Sequence, residues 1–247
     1  MEYFAKTDKG QRRRMNQDYV FATGQPVGVL PNLFLLADGM GGHKAGDYAS
    51  RYLVEELKKY FSTAAPQPEI RVMQDGISRI NTALYRLSQE NESLNGMGTT
   101  MVIAIIEGRT LTVGNIGDSR AYLIHGNTIH QITKDHSYVE EMVERGFMRR
   151  GSKDYMNSRN IITRAVGIEP TVSADFFELE LQEGDFLLLC SDGLSNMVDN
   201  ESIKNIVRDY SSVQEKVLAL IDMANINGGK DNIGVVLVDP FGEEAPV

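Results

Sequence analysis

The sequence predicts an α+β fold, a four-layer α-β-β-α sandwich in which two mainly antiparallel sheets are flanked by helix pairs. Apolar runs of strand length mostly follow one another directly. The long amphipathic stretches come in two consecutive pairs. Strands and helices nowhere alternate as they do in the βαβ units of parallel sheets. Two sheets face to face, each covered on its outside by one helix pair, satisfy all three observations.

Along the chain, "DYVFATG" and "NLFLLA" read as two short strands ending near residue 37. From about Lys44 to Phe61, Ala45, Ala49, Leu53, Leu57 and Phe61 recur every four residues and paint one apolar helical stripe. "STAAPQP" breaks it. A second helix is expected over about Glu69 to Asn91, where Ile70, Met73, Ile77, Ile80, Leu84 and Leu87 alternate steps of three and four. From Thr99 to Thr133 the period changes to strand, with Glu-Gly-Arg and His-Gly-Asn as hairpin turns. A short helix near Ser137 to Arg145 leads into "GFMRRGSKDYMNSRN". That stretch is polar, glycine-bearing and aperiodic, and reads as a mobile excursion because core-like sequence lies on both sides. "FFELELQEGDFLLLCSDG" holds two strands around a Glu-Gly-Asp turn. Helices near Asn200–Arg208 and Ser212–Asn225 and the strand "NIGVVLVD" follow.

The chain has 247 residues, 42% of them apolar, which suits one large domain or two small ones with a sizeable core. A net charge of −9 argues against a general binder of nucleic acid or anionic membrane. The one cysteine, Cys190, sits in an apolar strand and reads as core. No intramolecular disulfide is possible, which suits a reducing cytoplasm. "MEYFAKTDKGQRRRMNQD" lacks the apolar core of a signal peptide, and no apolar run approaches the ~18 residues of a membrane span.

The chemically loaded feature is a recurrence. Asp38 ends "LFLLA", Asp118 follows "LTVGNIG", Asp192 ends "FLLLCS", Asp231 precedes "IGVVLV" and Asp18 precedes "YVF". One Asp-Gly is a turn. Five aspartates at strand boundaries are a candidate site, because packed strands bring their ends to a common rim. Converged carboxylates stay ionised together only if cations neutralise them. Oxygen ligands without Cys or His suit Mg²⁺ or Mn²⁺, and two such ions can activate water and clamp a phosphoryl group. Rival readings of the glycines fail on spacing. A dinucleotide fingerprint starting at Gly39 meets Lys44 where its third glycine belongs. A Walker loop starting at Gly41 is followed by Asp47-Tyr48. A cysteine phosphatase would need an arginine where Asn196 stands.

Eight pieces, "TDKGQRRRMNQD", "FLLADGMGGHKAG", "GMGTT", "GNIGDSRAYL", "TKDHS", "RNIITRAVG", "LLLCSDGL" and "GGKDNIGVV", resemble in order the type 2C, metal-dependent serine/threonine protein phosphatases (the PPM family) of compact bacterial type. They span about residues 7 to 238. The resemblance implies a single catalytic domain over 1–247 with a flap at about 146–164 that is associated with substrate choice. It implies two Mn²⁺ or Mg²⁺ ions, with a third in some bacterial members. Asp38 would bridge two ions, with the Gly39 carbonyl as a ligand. Asp192 and Asp231 match aspartates of the first metal, Asp18 an acidic position near the metals, and Asp118 a partner of Asp192 at the third ion. Arg13 aligns with the arginine that grips phosphate, a task suited to a guanidinium fork. Arg12 and Arg14 read as solvated charges.

The implied reaction is attack of a metal-bridged water on phosphoserine or phosphothreonine in proteins, opposing serine/threonine kinases. Phosphorylated proteins are the expected partners, with no nucleic acid or membrane, and the enzyme is expected to be a monomer in the cytoplasm. Two rivals stand beside this: a phosphoprotein-binding pseudophosphatase, and a two-metal hydrolase of small phosphate esters. The sequence departs from many family members at three places. Met40 stands where a proposed catalytic histidine is common, Gln17 where a glutamate precedes the aspartate, and Gly234 where a threonine is common, a change expected to touch only packing. The leaving-group acid is therefore unnamed, with His43 as one candidate beside a water. His136 reads as structural, and His125 and His130 as surface residues.

Overall fold

A computed structural model of the chain describes residues 1–42 and 45–242. The elements run β1 (Glu2–Asp8), β2 (Asp18–Thr23), β3 (Leu33–Met40), α1 (Ala45–Thr63), α2 (Glu69–Glu90), β4 (Gly98–Thr99), β5 (Met101–Glu107) and β6 (Thr110–Ile116). Then come β7 (Arg120–His125), β8 (Thr128–Gln131), α3 (Tyr138–Glu144), α4 (Lys153–Ser158), β9 (Asp175–Glu180) and β10 (Asp185–Cys190). A one-turn α5 (Asp192–Ser195), α6 (Asn200–Asp209), α7 (Val213–Ile226) and β11 (Ile233–Asp239) follow.

One sheet has the order β1-β11-β10-β7-β8 and the other β2-β3-β5-β6-β9, with β4 paired to the end of β3. Every strand pairing is antiparallel. Side chains alternate across each strand, and in the central strands both faces are buried. In β3, Leu33, Leu35 and Ala37 pack under α1 and α2, while Phe34 and Leu36 face the other sheet. In β11, Ile233, Val235 and Leu237 pack under α6 and α7, while Val236 and Val238 face inward. Near-continuous apolar strands are the signature of such double burial. The expected sandwich is therefore present, with three apolar layers between its four structural ones.

The helices follow their stripes. Ala45, Ala49, Leu53, Leu57 and Phe61 of α1 are all buried. Ser212 and Glu215 close a reciprocal capping box on α7. Elements outside the sequence expectation include β1, α4 and the one-turn α5. β1 carries the mixed sequence "EYFAKTD" and pairs only with β11 at a sheet edge, so it lacks the apolar run of an interior strand. α4 lies within the polar excursion, its first turn capped by the Ser152 hydroxyl accepting from Tyr155 N.

Candidate active site

Register creates the site's floor. β2 and β3 pair so that Asp18 stands directly opposite Asp38, a placement that like charges disfavour. The Asp38 backbone is gripped on both sides. Its N–H donates to Thr100 Oγ1 at 3.0 Å, and its carbonyl accepts from Thr100 N and Thr99 Oγ1, each at 2.9 Å. Thr100 Oγ1 in turn shares a 2.7 Å bond with Ser119 Oγ, which ties "GMGTT" to "GDSR". At Gly39 an added Cβ would stand 2.0 Å from the Gly46 carbonyl oxygen. Glycine there is what lets the start of α1 lie against the end of β3.

The other aspartates arrive from separate strand ends. Asp118 lies in the turn between β6 and β7. Asp192 opens α5 just after β10, with Asn196 Nδ2 donating to its Oδ2 at 2.9 Å. Asp231 immediately precedes Asn232 and β11. Asp38, Gly39, Asp118, Asp192, Asp231 and Arg13 line one cleft of about 210 Å³, which Asn160 and Ile162 of the flap segment also wall. Asp118 and Asp192 face a second cavity of about 140 Å³ as well. Asp18 lies outside the cleft lining, 5% exposed, across the sheet from Asp38.

Gathering these acids raises their proton affinities. Burial pushes Asp18 up to about 7, and Asp192 and Asp231 repel its charge further. Burial, then the charges of Asp18, Asp192 and Asp118, hold Asp38 well above the usual carboxylate range. Asp118 is pushed to about 8 by burial and by Asp192. Asp192 rises to about 6, again mainly by burial, with the Asp231 charge next. Arg120 partly offsets Asp118 and Asp192, but its own fork is spent on Asp135, which it meets at 2.6 to 3.0 Å.

Arg13 reaches the cleft as expected and donates from Nη2 to Asp231 Oδ2 at 2.6 Å. The pair is half-exposed. His136 is structural. Its Nδ1 accepts from Gly117 N at 3.0 Å, so Nε2 carries the proton and donates to Asp175 Oδ2 at 3.0 Å. That arrangement braces the turn that holds Asp118. His43 lies outside the described residues. The flap segment is pinned at Glu140, which accepts from Arg150 Nε at 3.2 Å and from Tyr155 Oη at 2.8 Å.

Sequence reasoning missed three positioning residues. The Ser191 hydroxyl donates to Asp18 Oδ2 at 2.7 Å and accepts from Gly234 N at 2.8 Å. Thr100 carries the Asp38 backbone. Asn232 accepts from Gln17 N and donates to the carbonyls of Lys9 and Met15, holding the loop that carries Arg13. All three occur in the quoted motifs, but their partners are too far along the chain for spacing to reveal. Gly234 is a correction. A Cβ there would stand 3.0 Å from Asp18 Oδ2, so this glycine makes room for the carboxylate rather than serving packing alone.

The residues fit divalent cations. Asp18 Oδ1 is buried without a hydrogen-bond partner, and an orphaned buried oxygen is costly. The donors are all oxygen, the preference of hard ions. Among the described residues no three acidic, His or Cys side chains close on a single point.

An α-β-β-α sandwich with a carboxylate-lined, arginine-edged cleft at its rim has the make-up of a metal-dependent phosphate-ester hydrolase. The family profile "Protein phosphatase 2C" matches residues 8–225. The serine/threonine phosphatase stp of Listeria welshimeri is 39% identical over 244 residues, covering 95% of this chain and 94% of that protein. A crystal structure of a bacterial serine phosphatase superposes with a TM-score of 0.90 at 36% identity, covering 99% of this chain and 100% of that one. The catalytic domain of the serine/threonine protein phosphatase PstP, solved with two manganese ions, does so with a TM-score of 0.83 at 33% identity, covering 96% and 97%. The chain belongs to the protein phosphatase 2C family, and its enzyme class is protein-serine/threonine phosphatase. No helix among the described residues is long and apolar enough to cross a membrane.

Proposed function

We propose that the cleft hydrolyses phosphoserine and phosphothreonine in proteins with two Mn²⁺ or Mg²⁺ ions, held by Asp38, the Gly39 carbonyl, Asp192 and Asp231. Asp18 acts from behind Asp38, and Asp118 with Asp192 provides for a third ion at the boundary of the two cavities. The observation that carries this reading is the convergence of four carboxylates from separate strand ends on one cleft edged by Arg13. When bound, such ions lower the pKa of water and offset charge on the transferring phosphoryl group.

The chain's own residues do the rest. Asp38 is held by Thr99 and Thr100 through its backbone, which aims its carboxylate into the cleft. Arg13 exchanges its half-exposed partner Asp231 for a phosphate oxygen, a charge-assisted contact that orients the ester for in-line attack. With Met40 at the end of β3, no histidine donates from that position, and the leaving oxygen takes its proton from water. The enzyme acts as a cytoplasmic monomer on the substrates of a serine/threonine kinase. The manganese bound by PstP supports the metal assignment, and the names of the relatives support the substrate class.

The test is Mn²⁺-dependent phosphate release from a phosphothreonine peptide, set against a nucleotide and a sugar phosphate. Peptide turnover that vanishes with chelator is expected. Metal and peptide binding without turnover would mean a phosphoprotein-binding module, and faster turnover of the small esters a different substrate class.

A further inference from the structure

Beside the carboxylate cleft lies a second, mainly apolar pocket of about 270 Å³. Met40 and Ile162 line both, so the two cavities share a wall. Its other apolar walls are Ala165, Ile168 and Val172, on the segment that returns from the flap to β9. The volume falls just below the roughly 300–1,000 Å³ of small-molecule sites. It suits an amino-acid side chain better than a cofactor.

This pocket is built rather than left over. Thr99 and Val166 exchange backbone hydrogen bonds of 3.0 and 2.9 Å, fixing the segment to the end of β4. Asn81, fully buried on α2, accepts from Gly167 N at 2.8 Å and donates to Glu169 O at 3.0 Å. Gln74, two turns earlier on α2, accepts from Ala174 N at 3.1 Å and donates to Val172 O at 3.3 Å. Ile168 lies over Gly98, where an added Cβ would stand 2.7 Å from its Cγ1. Two charged side chains stand in the wall: Arg164 is already engaged, by Asp175 at 2.7 Å and by Ser173 O at 3.2 Å, and Glu169 is exposed. An apolar cup with its cation satisfied and its carboxylate open to water favours an uncharged, apolar occupant.

Resting on the phosphatase reading, we propose that this pocket receives an apolar side chain of the substrate protein, close in sequence to the phosphorylated residue, and so sets a sequence preference. Phosphate held at Arg13 in the carboxylate-lined cleft places the substrate backbone across Met40 and Ile162. A neighbouring side chain then drops over that wall onto Ile168 and Val172. The enzyme would thus read an apolar residue as well as the phosphate.

Steady-state kinetics with Mn²⁺ on phosphothreonine peptides tests this, with leucine or the neutral, similarly sized asparagine placed in turn at each of three positions on either side. At one position leucine should exceed asparagine in kcat/KM by about tenfold or more, the discrimination a hydrophobic pocket supplies. Ile168→Asp and Val172→Asp should bring that ratio close to one. Ile168→Ala, which adds no charge, should lower it part-way, so the outcome does not rest on one variant folding. A wild-type ratio near one at every position overturns the proposal, as does a ratio that survives all three substitutions. If no peptide is turned over at all, the phosphatase reading fails and takes this inference with it.

Discussion

The cleft has two unlike walls. Asp38, Asp118 and Asp192, with Asp18 behind Asp38, are set by strand register and strand-end turns, and Asp18 and Asp118 are only 5% and 7% exposed. Asp231 and Arg13 stand at the open rim as a half-exposed ion pair. The inner wall cannot relax, so its charge problem must be met from outside by cations. The outer wall solves its own charge problem and can be undone at little cost, as exposed pairs generally can. On the proposed reading, one fold would supply both a fixed cation seat and an exchangeable anion contact.

If that contrast is right, Asp38→Ala or Asp192→Ala should have the largest effect. Each should lose Mn²⁺ binding and activity together, by more than the roughly 10–100-fold that outer-shell changes cost. Full activity in either variant, measured beside calorimetric Mn²⁺ affinity, would dissolve the inner wall as a metal seat. Ser191→Ala comes next. It removes the hydroxyl that links Asp18 to β11 and should weaken Mn²⁺ affinity about 10–100-fold. Unchanged affinity would show that Asp18 needs no such aim.

Arg13→Ala should raise KM about tenfold, the size of one charge-assisted bond, with kcat less affected. Its melting temperature should hardly move. A large drop in stability would mean the rim is as structural as the floor. The smallest effect concerns pH. Without cations the folded pKa values of Asp18, Asp38, Asp118 and Asp192 lie above those of the unfolded chain. The folded state then binds more protons, so their contribution to stability falls as pH rises from about 4 towards 8. His136, whose pKa is lowered by burial, works in the opposite sense but is one group against four. Chelator-treated protein should therefore melt several degrees lower at pH 8 than at pH 5.5, at about 2–4 °C per kcal/mol for a chain of this size. Added Mn²⁺ should help more at pH 8, and a flat melting profile without metal would count against the buried-charge account.

The sequence revealed most of the fold because most elements carry their own period. The five-residue stripe of α1 and the apolar runs of β3, β5, β10 and β11 are local signals. β1 escaped because an edge strand needs no continuous apolar run. α4 escaped because a short surface helix with no buried residue has no stripe. The aspartates were legible as residues at strand ends, and the family resemblance attached roles to them. Their supports were not. Ser191 meets Asp18 across 173 positions, and Asn232 meets Gln17 across 215. No local pattern encodes such meetings. Gly234 shows the same limit, since its importance lies in what stands opposite it.

Asn232 has a consequence for the protein's birth. Its side chain bonds to the backbone of Lys9, Met15 and Gln17, and the strand it introduces, β11, lies between β1 and β10. A ribosome that has reached residue 200 has already made Arg13, Asp18, Asp38, Asp118 and Asp192. It lacks the strand that pairs β1 into the sheet and the Asn232 side chain that helps tie down the arginine loop. Catalytic competence therefore arrives late in translation, as residues 231–239 emerge, and a stalled nascent chain carries nearly all the acids of the site without the enzyme.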